Sequence, residues 1–355
     1  MSQDVNVEDG PQVDSGAVTW WLADPDHAFT GVRLVQEIGL PADRLVFAAV
    51  PGGWSLRLPR PPVRRMEYRL ALRHRDGRRE EVCAPGNPRR ARGAFGDKSV
   101  VEFPGYAPPA WLAAPTVEGG YVELSVPARG LPVDVGVRLW SPAEVAATEP
   151  LPLLVVHDGP EYDRLAAVTT FAAAMIRSGQ VPVHRVALVA PGDRNAWYSA
   201  NVRYAQALAG AVLPAIRTAA GVSGPVIGMG VSLGALAMLH AQRRHRGLLG
   251  GLFLQSGSFF DPALDPQERG FSGFTPVTRF VGRVLRGTAP GDPVPTTLTC
   301  GTAEENLDNN RQLASALRSQ GYDVRLVEVP DAHNYVAWRD ALHPALTDLL
   351  GAVWD

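Results

Sequence analysis

The chain has 355 residues, of which 46% are apolar and 20% are charged, and its formal net charge is −2. This composition is enough to bury the core of one large or two smaller domains, and it excludes an intrinsically disordered chain. A charge balance so close to zero gives no reason to expect a nucleic acid or an anionic membrane as a partner.

The N-terminal residues are polar and acidic, without the apolar stretch and small-residue cleavage site of a signal peptide. No uncharged apolar run approaches the roughly 18 residues that a membrane helix needs. We therefore expect a cytoplasmic protein. Its two cysteines, Cys83 and Cys300, fall in different predicted domains, which argues against both a disulfide framework and a metal site.

The first half of the chain predicts a small all-β domain. Short strands alternate with Pro- and Gly-containing turns, and no long helical period occurs; the predicted strands are Val18–Ala23, Leu45–Val50, Ser55–Leu58, Met66–Arg73 and Glu80–Cys83. This pattern is typical of a β-sandwich. We expect a disordered leader over residues 1–14, the sandwich over residues 15–110, and a linker near residues 104–115.

The second half, predicted as a separate domain over residues 116–355, alternates apolar strands with helices. The predicted strands are Val133–Trp140, Leu151–Val156, Val186–Ala190, Pro225–Met229, Gly251–Gln255, Thr296–Cys300 and Val324–Val329; the predicted helices are Leu165–Arg177, one within Asn201–Ala220 that must accommodate Pro214, Leu233–Gln242, Asn306–Gln320 and Val336–Val353. Such alternation predicts a mostly parallel sheet covered by helices on both faces, with ligands at the carboxyl ends of the strands. Residues 259–294 interrupt it and are a candidate lid.

One strand, turn and helix carry the chemistry. The segment Gly230-Val-Ser232-Leu-Gly234 lies between an apolar strand and a helix, where G-x-S-x-G is typical of a nucleophile elbow. The glycines let the strand and helix approach closely, while Ser232 sits at the tip with its hydroxyl exposed. The N–H of Leu233 would then point at an oxyanion formed beside Ser232.

A serine nucleophile needs a base and a group that orients the base. In an α/β-hydrolase both follow the serine in the order acid, then histidine, each just after a later strand. His333 follows one such strand, and Glu304 follows another. The remaining acid candidates on these loops are Glu305, Asp308 and Asp331. We expect no metal or other cofactor in catalysis.

Two further loops follow strand ends. After Val156, Pro160 has no N–H, so the second oxyanion donor is expected to be Gly159 or Glu161. Substrate contacts are expected from four side chains on these loops: Arg194, Trp197, Tyr198 and Tyr162. For Trp197 and Tyr198, packing in the interior is the alternative.

The order of these motifs resembles the enterochelin (enterobactin) esterases, which are esterase D-type α/β-hydrolases with an N-terminal Ig-like domain. The residues that carry the resemblance are Gly86-Asn-Pro-Arg89, Asp158-Gly159, Arg194…Tyr198…Asn201, Gly-Val-Ser232-Leu-Gly, Gln255-Ser-Gly-Ser258, Gly301-Thr-Ala-Glu304, Asn310-Arg311 and His333…Trp338. Pro160 and Ala84-Pro85 depart from the pattern of that family.

The resemblance implies hydrolysis of ester or lactone bonds in a ferric catecholate siderophore, a small-molecule partner whose iron is released. By position it favours Glu304 over Glu305 as the acid, although some members of the family manage with serine and histidine alone. Two alternatives remain open from the residues: an esterase or acyltransferase for another acyl ester, such as a feruloylated or acetylated carbohydrate, and a binding protein with a relic site.

Overall fold

The structure is a computed structural model that describes residues 10–288 and 291–354. Its backbone contacts divide the chain into two compact units. The first ends at Ala107 and also includes two short later segments, Gly301–Glu304 and Pro330–Asn334. The second comprises Pro108–Cys300, Glu305–Val329 and Tyr335–Asp355.

The first unit contains two antiparallel sheets. Its strands are β1 (Gln12–Val13), β2 (Ala17–Ala23), β3 (Phe29–Gln36), β4 (Ala48–Val50), β5 (Gly53–Pro59), β6 (Arg65–His74), β7 (Arg79–Val82), β8 (Arg90–Ala91) and β9 (Lys98–Glu102). One sheet has the order β1-β2-β5-β4, and the other has β3-β6-β9-β8 with β7 paired to β6.

Alternating side chains explain why this unit is a sandwich. Buried and more exposed residues alternate from Val18 onward in β2 and from Leu56 onward in β5. Trp20 and Leu56 are among the buried ones and share one core with Leu34 of β3 and Tyr68 of β6. Ala332, from a much later loop, is also buried in that core. Burial of one face of each sheet sets the strand register, because a slip by one residue would expose the apolar set.

The second unit is built on one eight-stranded sheet. Its strands are β10 (Gly119–Val126), β11 (Val135–Pro142), β12 (Leu151–His157), β13 (Arg185–Val189), β14 (Val222–Val231), β15 (Gly251–Gln255), β16 (Thr296–Gly301) and β17 (Val324–Val329), in the order β10-β11-β13-β12-β14-β15-β16-β17. The neighbouring strands β13, β12, β14, β15 and β16 pair in parallel. Strand β11 pairs antiparallel with both β10 and β13.

Helices cover both faces of this sheet. They are α1 (Gly159–Ala166), α2 (Val168–Arg177), α3 (Arg194–Tyr198), α4 (Val202–Ala207), α5 (Leu213–Ala219), α6 (Leu233–Arg244), α7 (Phe274–Leu285), α8 (Leu307–Ser319), α9 (Tyr335–Asp340) and α10 (Ala345–Trp354). Helices α3 to α8 contribute to one apolar cluster, and α1, α2, α9 and α10 contribute to a second. The predicted fold class, an α/β-hydrolase preceded by a small Ig-like sandwich, is confirmed.

Several predicted elements differ in extent. The helix expected from Leu165 begins at Gly159 and is divided at Ala167, whose φ is 54°. A five-residue π-helix, Leu208–Val212, precedes Pro214, which removes a backbone donor from the helix. The strands β1, β3, β8, β9 and β10 were not predicted. In β10 only the last residue is buried, so the strand carries a weak apolar signal.

The ends and the insertion also differ from expectation. Residues 1–9 of the predicted leader lie outside the described residues, whereas Gln12–Val13 pair with β2. A 3₁₀-helix, Ala110–Ala113, occupies the expected linker. The candidate lid contains a 3₁₀-helix, Pro266–Gly270, and α7, and its role as a lid stays a prediction. Among the described residues, no helix is both long and apolar enough to cross a membrane.

Candidate active site

Ser232 occupies a strained corner between β14 and α6. Its φ is 53° and its ψ is −124°, a region that costs a non-glycine residue roughly 1–3 kcal/mol. Two backbone hydrogen bonds hold it there. The N–H of Ser232 donates to the carbonyl of Gln255 at 2.9 Å, and the N–H of Ser258 donates to the carbonyl of Ser232 at 3.1 Å. Strain maintained by surrounding bonds is a common property of functional residues.

The two glycines of the elbow are required by close packing. A Cβ on Gly230 would lie 2.4 Å from the backbone carbon of Gly234. A Cβ on Gly234 would lie 3.2 Å from the Cβ of His157. The missing side chain at Gly230 therefore lets α6 begin directly beside β14, and the missing side chain at Gly234 lets α6 lie close to the end of β12, as the G-x-S-x-G pattern predicts.

The hydroxyl of Ser232 has a buried neighbour. Its Oγ lies 3.0 Å from Oγ of Ser258, a residue that is 3% exposed. Ser258 lies on the loop that follows β15. Asn310 holds this loop by two hydrogen bonds to Gly257. The N–H of Gly257 donates to Oδ1 of Asn310 at 3.1 Å, and Nδ2 of Asn310 donates to the carbonyl of Gly257 at 2.9 Å. Ser258 is thus fixed against the elbow by its loop as well as by its own N–H.

Backbone donors are available at two helix starts. Leu233 is the first residue of α6, and Gly159 and Glu161 lie in the first turn of α1. The N–H groups of a first turn have no partner within their own helix. The N–H of Asp158 instead donates to the hydroxyl of Tyr198 at 3.2 Å. These helix starts can stabilise negative charge at an oxyanion.

Arg194 pairs with the loop before α1. Its Nε and Nη2 donate to the two carboxylate oxygens of Asp158, each at 2.8 Å. Asp158 is 1% exposed and has a φ of 53°. Burial by itself would lower the pKa of Arg194, but Asp158 outweighs it and raises that pKa. We expected the guanidinium of Arg194 to face a substrate. Two of its nitrogens instead hold Asp158, in the loop before α1.

The three aromatic side chains expected to contact a substrate are interior. Tyr162 and Tyr198 are 0% exposed, and Trp197 is 2% exposed. Tyr162 donates to Gln255, Tyr198 stacks on His157 with ring centroids 4.7 Å apart, and Trp197 stacks on Tyr204. Of the two roles left open for Trp197 and Tyr198, the structure shows packing. Tyr162 likewise has no exposed surface to offer a ligand.

His157 is a buried structural histidine at the end of β12. Its Nδ1 donates to the carbonyl of Gly234 at 3.0 Å, and its Nε2 lies 2.9 Å from the hydroxyl of Tyr204. Burial lowers the pKa of His157 to about 4, so the ring is neutral at pH 7. It ties the end of β12 to the elbow helix.

Glu304 and His333 form a hydrogen-bonded pair. Nδ1 of His333 lies 2.8 Å from Oε2 of Glu304, whose side chain is 1% exposed. The other oxygen of Glu304 accepts the N–H of Gly301 at 2.7 Å. Since a carboxylate can only accept, Nδ1 of the imidazole carries the proton and Nε2 carries the lone pair. This tautomer is the one that a general base requires.

The competing acids have other partners. Glu305 is exposed and accepts from Gln267, and Asp308 pairs with Arg311. Asp331 is buried and accepts the N–H of Ala332 at 2.8 Å. Burial raises the pKa of Asp331 to about 6. Of the four candidates, Glu304 is the one that we find bonded to the imidazole.

Neither Ser258 nor the carboxylate of Asp158 was assigned a role from the sequence. Gln255-Ser-Gly-Ser258 did carry a signal, since it places small polar residues directly after an apolar strand whose carboxyl end lies beside the elbow strand. The pairing of Asp158 with Arg194 had no such signal, because 36 residues separate the partners.

Comparisons with known proteins agree with this architecture. The model of the esterase family described as "Putative esterase" matches residues 129–349. Ferric enterobactin esterase from Salmonella typhimurium superposes with a TM-score of 0.78 at 20% identity, covering 97% of each chain. Enterobactin esterase from Shigella flexneri, solved in the presence of enterobactin, gives a TM-score of 0.77 at 19% identity, with 97% of both chains covered.

A shorter structure matches part of the chain. A ferulic acid esterase superposes with a TM-score of 0.54 at 16% identity, covering 67% of this chain and 99% of its own. No curated protein sequence gives a significant match. At these identities the structural likeness shows the fold, and the resemblance in fold recognised from the sequence is confirmed.

Proposed function

Because the chain belongs to the esterase family, whose model matches residues 129–349, we propose that it is a serine esterase with Ser232 as nucleophile. His333 takes the proton of the Ser232 hydroxyl and later returns it to the leaving alcohol. Glu304 keeps the imidazole in the tautomer with a proton on Nδ1 and stabilises the imidazolium that forms. Water then hydrolyses the acyl-enzyme by the same proton transfers.

The observation that carries the proposal is the backbone of Ser232. A serine with φ 53° and ψ −124° sits between a buried strand and a helix start, held by bonds to Gln255 and Ser258. A packing serine gains nothing from such strain, whereas a nucleophile that must project from a turn needs it. The bond between Glu304 and His333 supports the role of the imidazole independently.

The oxyanion is proposed to bind at helix starts. The N–H of Leu233 serves as one donor, and the N–H of Gly159 or Glu161 serves as the second. Charge that develops on the carbonyl oxygen is stabilised there because these N–H groups are fixed before the reaction begins. Arg194 supports this indirectly, since it fixes the carboxylate of Asp158 at the start of α1.

The proposed substrate is a ferric catecholate siderophore with ester or lactone bonds. Support comes from the fold shared over 97% of the chain with the two enterobactin esterases. Such a substrate is strongly anionic. The side chain of Arg194 is 35% exposed, so the edge that does not face Asp158 can still meet an anion. Iron enters this scheme as cargo of the substrate.

A fluorophosphonate probe tests the nucleophile. The wild-type protein should be labelled, and Ser232→Ala should not. Ser232→Ala or His333→Ala should lower the rate of ester hydrolysis about 10⁶-fold, as in other serine triads. Ser258→Ala is a matched control, since it removes the neighbouring hydroxyl and should still be labelled. Equal labelling of wild type and Ser232→Ala would overturn the assignment.

Product analysis tests the substrate. Ferric trilactone siderophore should be cleaved to its linear fragments with a higher kcat/KM than p-nitrophenyl esters. A second candidate is hydrolysis of a feruloyl or acetyl ester, which the match of a ferulic acid esterase over 67% of the chain favours. Preference for a feruloylated carbohydrate would select that candidate. A protein that is not labelled and turns over no ester would be a binding protein.

A further inference from the structure

The loop that carries His333 is bonded to the β-sandwich. Pro330–Asn334 belongs to the same compact unit as the sandwich strands. The N–H of Arg64 donates to the carbonyl of Pro330 at 2.8 Å, and Ala332 is 3% exposed within the sandwich core. The loop with Glu304 is linked to it, since the N–H of Ala303 donates to the carbonyl of Asp331 at 3.2 Å.

Arg65, the first residue of β6, supplies the side-chain contact to this loop. Its Nη1 donates to Oδ1 of Asn334 at 3.0 Å and to Oε1 of Glu67 at 2.9 Å. Asn334 in turn donates to Oδ1 of Asp331 at 3.2 Å. Asn334 and Asp331 lie on either side of His333 in the chain. Arg65 therefore holds one end of this segment directly and the other end through Asn334.

These contacts are buried and charged. The side chain of Arg65 is 3% exposed, and that of Glu67 is 6% exposed. Lys98 lies 3.8 Å from the second oxygen of Glu67, and Tyr106 also faces Arg65. Burial acts to lower the pKa of Arg65, but Glu67 and Asp331 outweigh it and raise that pKa. A buried cation with two carboxylates around it gives the loop one well-defined position, because any displacement would unpair a buried charge.

We propose that Arg65 is a positioning residue that fixes the loop of His333 so that the imidazole keeps its hydrogen bond to Glu304. The catalytic consequence rests on the role of His333 in the proposed function. The β-sandwich thereby takes part in catalysis through a strand residue that touches no reacting atom. A displacement of about 1 Å in a catalytic group can cost on the order of 10²-fold in rate.

Arg65→Met tests the proposal, with Arg65→Lys as the conservative variant. We expect Arg65→Met to lower kcat for a p-nitrophenyl ester about 10- to 100-fold, counted per fluorophosphonate-reactive site, with KM within about twofold. Arg65→Lys should recover part of the loss. Arg69→Met is the matched control, because Arg69 lies on the same strand but donates to the carbonyls of Asp97 and Phe95. It should keep wild-type kcat.

A second readout is independent of turnover. In the wild type, NMR should show a downfield proton on Nδ1 of His333 that disappears in His333→Ala. Arg65→Met should weaken or shift this signal and displace the acidic limb of the kcat/KM pH profile. If circular dichroism shows that Arg65→Met does not fold, Asn334→Ala serves instead. It removes the hydrogen bond between Arg65 and the loop of His333 and keeps the pair of Arg65 with Glu67.

The outcomes separate the two proposals. A folded Arg65→Met protein with kcat per site within twofold of wild type and an unchanged Nδ1 signal overturns the positioning role. Loss of reactive sites alone, with kcat per site unchanged, would show a purely structural role and also overturns it. If His333→Ala retains wild-type turnover, the proposed function fails, while a changed Nδ1 signal in Arg65→Met would still support the positioning of the loop.

Discussion

His333 and Glu304 bond through Nδ1 and Oε2 at 2.8 Å, and the carboxylate is almost completely buried while the imidazole side chain remains 32% exposed. This arrangement suits a catalytic pair: the exposed part of the imidazole can reach a substrate, and the buried carboxylate orients the imidazole without contacting the substrate. The adjacent Glu305 has the opposite environment, since it is exposed. The two neighbouring carboxylates can therefore be separated by experiment.

Glu304→Gln should lower kcat on the order of 10³- to 10⁴-fold, with little change in KM. The amide keeps the size of the side chain but loses the negative charge that stabilises the imidazolium. Steady-state hydrolysis of a p-nitrophenyl ester measures the effect. Glu305→Gln is the control and should stay within twofold of wild type. A kcat within tenfold of wild type for Glu304→Gln would mean that Ser232 and His333 suffice alone.

The sequence predicted those parts of the molecule that local geometry determines. The elbow is such a part, because a helix that follows a strand this closely leaves no room for a side chain at Gly230 and little room for one at Gly234. The loops with Glu304 and His333 could also be placed, since each follows an apolar strand directly. An exposed edge strand such as β10 has no continuous apolar run, and it was missed.

Long-range side-chain pairing could not be predicted in the same way. Arg194 looks like a ligand contact in the sequence, because nothing local indicates that Asp158 will meet it. From the sequence, Tyr198 was expected on a loop at a strand end, yet it lies in α3 and packing against His157 buries it completely. The pairing of Arg194 and the burial of Tyr198 both depend on which segments the tertiary structure brings together after separate strands.

Ser258→Ala should reduce kcat/KM about 3- to 10-fold. The contact between the two hydroxyl groups, at 3.0 Å, restricts the rotamer of Ser232, and a neutral hydrogen bond contributes about 0.5–1.5 kcal/mol. The rate of fluorophosphonate labelling should fall in proportion. Ser178→Ala, which removes a hydroxyl bonded to the carbonyl of Ala174, is the control. Faster labelling of Ser258→Ala would show instead that Ser258 competes with the base for the proton of Ser232.

Arg194→Met should destabilise the protein by about 2–3 kcal/mol, because it leaves the buried carboxylate of Asp158 without its cation, and partial exposure of the arginine moderates the loss. The double variant Asp158→Asn with Arg194→Met should recover part of this stability. Urea unfolding measures both. Arg203→Met, on the exposed side of α4, is the control.

The same variant separates two roles of Arg194 in catalysis. If the guanidinium acts by fixing the α1 loop, kcat for a neutral ester should fall as much as kcat for an anionic one. If it also contacts the substrate, KM for the anionic ester should rise further. A folded Arg194→Met protein with wild-type kinetics on both esters would exclude both roles.

Acid should destabilise the protein through three buried histidines, His157, His184 and His240. Burial lowers the pKa of each to about 4, whereas the unfolded chain titrates near 6.5. Each neutral ring thus contributes stability that is complete above pH 6.5 and is lost as the pH falls towards 4. At about 1.4 kcal/mol per pKa unit, the loss is about 3 kcal/mol for each.

Asp331 acts in the opposite direction. Its pKa is raised from 3.8 to about 6 by burial, so the folded protein binds a proton before the unfolded chain does and gains about 2–3 kcal/mol as the pH falls from 6 to 4. Three histidines outweigh one carboxylate, and we expect a net loss of about 6 kcal/mol between pH 7 and pH 4. That loss is comparable with the whole stability of a typical domain.

Urea unfolding at pH 7, 6, 5 and 4 measures this dependence, and His240→Phe dissects it. His240 packs edge-on against Phe280 with ring centroids 4.9 Å apart, so an aromatic ring can replace it without a cavity. The variant should lose about half as much stability as wild type between pH 6.5 and pH 4, because His240 contributes about 3 of the roughly 6 kcal/mol. His27→Asn, at an exposed residue with a φ of 52°, should follow the wild type. An unfolding free energy that rises as the pH falls would show that the carboxylates, and not the buried histidines, determine stability in acid.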